Sequence, residues 1–95
     1  EVLFSINPSP IIELNRAVAV AMRDGPSSGL MLIDEILVQG KLGDYHLAHS
    51  ARADLLRRLG QMTEAKSAYE AALKFAQMEP ERRFLEHRLR ELDDG

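Results

Sequence analysis

Two histidines three residues apart, His46 and His49, follow Asp44 closely enough to raise a divalent-metal site on one helix face. Zinc needs three or four ligands in fixed geometry, and the remaining histidine, His87, lies far along the chain. The chain has no cysteine, which excludes thiolate clusters, disulfides and thiol nucleophiles. A surface His pair near a helix start is the plainer reading, and no metal is expected. Ser27-Ser28-Gly29 at another helix start offers backbone N–H groups to an anion, but without a P-loop lysine pattern N-capping is the simpler role. Asp34 with Glu35, and Asp93 with Asp94, are sequence neighbours that point apart, so neither makes an acid–base pair. No catalytic constellation emerges: the chain is expected not to be an enzyme and to carry no cofactor. The basic set Arg52, Arg57, Arg58 and Lys66 lacks interleaved aromatics for base stacking. A solvated face or a protein contact suits it better than nucleic acid.

The elements that must carry these residues are helices. Ala, Leu, Arg and Glu dominate a 95-residue chain with 5% aromatics, and its net charge of −3 argues against a strongly basic nucleic-acid module. No apolar run reaches the roughly 18 residues of a membrane span, and no signal sequence is visible. Asn7-Pro8-Ser9-Pro10 closes one segment and opens the next, with Ser9 as cap and Pro10 in the first turn. A helix from Ile11 to Arg23 would bury Ile11, Leu14, Val18 and Ala21, a stripe widened by Ala17 and Met22, and Asp24-Gly25-Pro26 stops it. A second stripe runs through Leu30, Ile33, Ile36 and Leu37. A loop with Asp44 as N-cap then leads into Tyr45–Leu59. Gly60-Gln61-Met62 turns the chain into Thr63–Gln77, and Pro80 opens a last helix with Phe84, Leu85, Leu89 and Leu92 as its apolar residues. No segment alternates with the period of a strand, so the fold class is all-α.

Gly25 and Gly60 stand 35 residues apart, and at that offset Ala21 aligns with Leu56, Leu30 with Ala65, Ile33 with Ala68, and Leu37 with Ala72. Helix–turn–helix units repeating near that period resemble tetratricopeptide (TPR) repeats. The second unit carries the resemblance through Ala53, Leu56, Gly60, Ala65, Tyr69 and Ala72, while His49 and Arg52 stand where bulky apolar residues are usual. The first unit keeps Gly25 and Ile33 but has Leu30 where a small residue is expected. The implied organisation is the end of a truncated preceding repeat at 1–10, TPR-like repeats at 11–44 and 45–79, and a capping helix at 80–95. Together they would form a helical-hairpin superhelix, read as a piece of a longer protein.

The runs Leu14-Asn15-Arg16-Ala17-Val18-Ala19, Asp24-Gly25-Pro26 and Arg52 to Gly60 are similar to the C-terminal extension of extracytoplasmic-function-type bacterial RNA polymerase sigma factors, whose TPR-like tail bears a DGP motif. The resemblance implies a cytoplasmic regulatory, protein-binding tail. Its partners would be sigma regions 2 and 4 of the parent chain, core RNA polymerase or a regulatory protein. Promoter DNA would be reached only through the N-terminal regions, and no membrane is involved. A stand-alone TPR adaptor unrelated to transcription is the alternative.

The first helix of each TPR-like unit should line the groove, presenting Asn15, Ala19 and Arg23, then Ser50, Asp54, Arg57 and Arg58. With the rigid Asp24-Gly25-Pro26 turn as a contact edge, this makes a polar, mostly basic partner-binding face. Arg52, at a position that asks for apolar packing, is expected to pair with Asp24, Asp34 or Asp54. Calorimetric titration with Zn²⁺ is expected to give no stoichiometric signal at micromolar concentration. Such a signal would restore His46 and His49 as ligands.

Overall fold

A computed structural model describes residues 10–94. It is built of five helices: α1 Pro10–Asp24, α2 Pro26–Val38, α3 His46–Arg58, α4 Met62–Phe75 and α5 Glu79–Asp94. No strand occurs among the described residues, and none of their helices is long and apolar enough to cross a membrane. The fold is all-α. The proposed Ser9 cap and the preceding repeat lie outside the described residues.

Helix ends follow local chemistry. Pro10 and Glu13 suit the first turn of α1 and Arg23 its last, where each charge complements the helix dipole. The Gly25 N–H donates to the Ala21 carbonyl at 3.0 Å and closes α1. Gly25 then takes φ 109° and ψ 158°, a region essentially restricted to glycine, and Pro26 starts α2 with its ring already at helical φ. One residue thus reverses the chain between two helices. Other expected boundaries shift slightly. Tyr45, not Asp44, is the N-cap residue of α3, and no side chain caps that end. Helix α4 stops at Phe75, two residues before Gln77, because Ala76 is extended. Ser27 and Ser28 lie inside the first turn of α2 and do not cap it, since Gly25 holds that place.

Two helical hairpins result, α1–α2 and α3–α4, joined where α3 packs against α2, with α5 laid on α4. One core cluster joins Leu14, Ala17, Ala21 and Ile33 to Ala48 and Leu55; the other joins Ala53, Leu56, Ala65, Tyr69 and Ala72 to Leu85. Helix α3 serves both, and Leu30 packs against each. The expected stripe of α1 is corrected here. Of the expected residues Leu14, Ala17 and Ala21 are buried, while Ile11, Val18 and Met22 are exposed. Likewise Leu85, with Leu89 and Leu92, forms the buried face of α5, and Phe84, one residue out of phase, lies outside.

The two hairpins match better at a longer offset in their second helices. Pro26 and Met62, the first residues of α2 and α4, are 36 residues apart, because three residues separate α3 from α4 where one separates α1 from α2. At 36, Gly29 pairs with Ala65, Ile33 with Tyr69 and Ile36 with Ala72, and all six are buried. The small residue missing from the first unit is therefore Gly29, not position 30. A Cβ on Gly29 would overlap Ala21 Cβ and come within 2.7 Å of the Ala17 carbonyl oxygen.

Helix propensity alone would make Gly29→Ala stabilising by about 1 kcal/mol. The close approach reverses the sign. Gly29→Ala is expected to cost about 1–3 kcal/mol through overpacking, read by thermal unfolding, while Ser27→Ala on the exposed side leaves the curve nearly unmoved. A stabilised Gly29→Ala would show that the two helices separate freely at this crossing.

Candidate functional site

A polar groove of about 510 Å³ lies between α1, α3 and α5. Asn15 and Val18 come from α1, and Ser50, Asp54, Arg57 and Arg58 from α3. The Tyr69 side chain contributes from α4, and Phe84 and Arg88 from α5. Helix α3 delivers its set because positions 50, 54, 57 and 58 share one face, and because cations are favoured in a last turn, where Arg57 and Arg58 lie.

The groove's charges are arranged by contact. Arg57 Nη2 donates to Asp54 Oδ1 at 2.6 Å, and Arg58 Nε lies 3.2 Å from Asp54 Oδ2, so one carboxylate spaces two guanidinium groups. Arg57 Nε donates to the Tyr69 hydroxyl at 3.3 Å, and that ring is buried in the core. The Tyr69 hydroxyl, then Asp54, raises the Arg57 pKa above its ordinary value. On α5, the Arg88 guanidinium stands 5.1 Å from the centre of the Phe84 ring while Nη1 donates to Glu91 at 2.9 Å. That bond, ahead of other causes, lowers the Glu91 pKa. Three guanidinium groups and one carboxylate line the groove, together with exposed apolar surface from Val18, Leu47 and Phe84.

Among the residues expected to bind a partner, the fold brings Asn15, Asp54, Arg57 and Arg58 together. Arg23 is not among the groove residues. Steps of four drift by 40° each on a helix, so the face that begins at Asn15 continues through Val18 to Met22, not through Ala19 to Arg23. Arg23 instead forks onto its neighbour Asp24, with Nη2 to Oδ2 at 3.0 Å, on the open surface. That bond lowers the Asp24 pKa. Asp24, Gly25 and Pro26 do not line the groove either, because the turn forms the hairpin end and its geometry is taken up in joining α1 to α2. Missed in the sequence were Phe84 and Arg88. Their spacing of four on the expected last helix marks a common face, but which face of α5 meets α3 is set by packing.

The two residues that interrupt the apolar pattern of α3 are both engaged. Arg52 Nε donates to Asp34 Oδ1 at 2.6 Å, tying α3 to α2. His49 Nε2–H donates to the Gly43 carbonyl at 2.7 Å and its ring stacks on Phe75 at 5.7 Å. His46 Nε2 faces Glu81 Oε2 at 3.0 Å, so the two histidines serve different partners. Among the described residues no three or more His, Asp or Glu side chains cluster at metal-holding distance.

The chain is similar to an uncharacterised protein of Rhizobium meliloti (strain 1021), with 37% identity over 76 residues. The match covers 80% of this chain, which spans 18% of that protein's length. No family model matches the chain, and no solved structure does.

The Arg52–Asp34 pair is half-buried, at 29% and 44% side-chain exposure, so water screens it and its contribution is about 1 kcal/mol or less. Arg52→Ala should lower the melting temperature by several degrees at most, since about 1 kcal/mol moves a domain of this size by roughly 4–8 °C. Asp34→Ala should match it, and the double variant should lose little more than either single one. Fully additive losses would show that the two side chains do not stabilise each other.

Proposed function

We propose that this chain is a protein-binding regulatory domain, and that it forms the TPR-like C-terminal tail of an extracytoplasmic-function-type sigma factor. The observation that carries the first part is the α1–α3–α5 groove, where side chains from four helices converge on an open, net-basic surface with exposed apolar contacts. Such a surface has the makings of a protein interface: arginine and aromatic side chains at its centre and polar groups at its margin. Its carboxylate, Asp54, is engaged by two arginines, which favours a binding role for this surface.

The second part rests on the similarity of Leu14–Ala19, the Asp24-Gly25-Pro26 turn and Arg52–Gly60 to that sigma-factor tail, together with the two hairpins of matching build. In this reading the hairpins stack as a TPR-like superhelix capped by α5. The domain works in the cytoplasm, and the groove engages an acidic segment on sigma region 2 or 4, core polymerase or a regulator. The parent protein initiates transcription, and this tail controls how readily it does so. The turn's contribution is to hold the two helices of the first hairpin at their angle.

The test uses the full-length protein. Arg57→Glu with Arg58→Glu should leave the helical circular dichroism intact, because Arg58 is exposed and half-buried Arg57 gives up partly screened contacts with Asp54 and the Tyr69 hydroxyl, worth about 1 kcal/mol each. Promoter-directed transcription should change severalfold, in either direction. A folded variant with unaltered transcription would remove the groove from this role.

A further inference from the structure

The groove does not end at its basic half. A second cleft of about 300 Å³ opens between the first turns of α3 and α5, and it shares Leu47, Ser50 and Phe84 with the first. Its walls are Leu47, Pro80, Phe84 and Leu85, with His46 and Glu81 at one edge. Leu47 and Phe84 are 46% and 48% exposed, and large side chains are rarely left so open without use when several lie together in a concave wall. The two clefts form one trough along α3. It is apolar beside the helix start, at Leu47, and cationic beside the helix end, at Arg57 and Arg58, with Arg88 across from it on α5.

We propose that this trough recognises a protein segment with the matching division: acidic side chains against Arg57, Arg58 and Arg88, and one bulky aliphatic or aromatic side chain anchored between Leu47, Pro80 and Phe84. The proposal rests on the protein-binding reading of the groove and adds the partner's chemistry and spacing. Charge complementarity selects acids for the cationic end, where three guanidinium groups outnumber their two carboxylate partners, Asp54 beside Arg57 and Arg58 and Glu91 beside Arg88. Phosphate backbones are disfavoured. Asp54 stands amid the arginines, Glu81 borders the apolar cleft, and an apolar wall offers a nucleic acid strand no continued run of cations. Leu47 and Arg58 are 11 residues apart on α3, a rise of about 16 Å. The anchor and the acids must therefore be separated by about five residues if the segment is extended, or by about eleven if it is helical.

Phe84 serves both ends. Its ring walls the apolar cleft while the Arg88 guanidinium lies over it, so an anchor side chain that packs on Phe84 also steadies a cation of the acidic subsite. The two subsites should accordingly be coupled: a peptide carrying both elements binds more tightly than the sum of the contributions measured with each element alone.

The probe is a phage-displayed library of random 16-residue peptides, panned on the immobilised full chain. Enriched peptides should carry clustered Asp or Glu and a Leu, Ile, Phe or Trp at one of the two spacings. Synthesised, they should bind about tenfold more weakly to the Arg57→Glu, Arg58→Glu variant, and again to Phe84→Ser, as expected for losing one or two contacts of about 1 kcal/mol. Arg58 and Phe84 are exposed and Arg57 is half-buried, and circular dichroism checks that both variants fold. The proposal is overturned by enrichment of peptides without this division, by scrambled peptides of equal composition binding as tightly, or by no enrichment at all. It is equally overturned if the chain self-associates and Phe84→Ser makes it monomeric. These results are separable from the transcription test: a severalfold effect of Arg57→Glu, Arg58→Glu on transcription together with failed panning would leave the regulatory reading standing and remove only the divided partner.

Discussion

Close helix approach at small residues is the constraint from which the rest of this structure follows. Ala17, Ala48, Ala53, Ala65 and Ala72 are fully buried, and Gly29 sits against Ala17 and Ala21 with no room for a methyl group. A 95-residue chain has little large apolar volume to spend on its interior. It compensates by bringing helix backbones together, so that dispersion contacts are made by main chain and methyl groups. Among the described residues, Tyr69, Ile33, Leu56 and Leu85 fill the remaining space as the largest fully buried side chains.

A thin core leaves long polar side chains to join the elements. Arg52 reaches from α3 to Asp34 on α2, Arg57 from α3 to the Tyr69 hydroxyl, and Lys66 from α4 to Asp93 on α5 at 2.8 Å. Arg82 of α5 donates Nη1 to the carbonyls of Leu73 and Ala76 at 3.1 and 3.2 Å. Those acceptors lie at the C-terminal end of α4, where carbonyls lack helical partners and the dipole favours a cation. That contact orients α5, and so decides where Phe84 and Arg88 stand relative to α3. The groove's far wall thus depends on a capping interaction made well away from it.

The same arrangement gives the groove its rigidity. Arg57 is held by an acid on its own helix and by a hydroxyl whose ring is locked in the core. A guanidinium positioned before a partner arrives loses less side-chain freedom on binding, which favours affinity. The arginines would otherwise repel one another across the groove, and Asp54 between two of them reduces that cost.

Helix ends and the all-α class were legible because their causes are local. Glycine at positive φ, proline at a first turn and apolar spacing of three and four act within one turn of chain, so Asp24-Gly25-Pro26, Gly60 and Pro80 marked the breaks to within one or two residues. The basic set on α3 was legible for the same reason. What tertiary structure alone decided was register between elements. The choice of Gly29 over position 30 as the crossing residue follows from unequal turn lengths, one residue against three. The turning of Arg23 away from the groove follows from which stripe of α1 the core takes. Asp34 became the partner of Arg52 over two other acids because α2 is the helix packed beside it. Phe84 was left outside because Leu85, Leu89 and Leu92 form the better-phased apolar face. Each of these outcomes depends on the sum of contacts across a helix pair, and a single helix's sequence contains only one side of that sum.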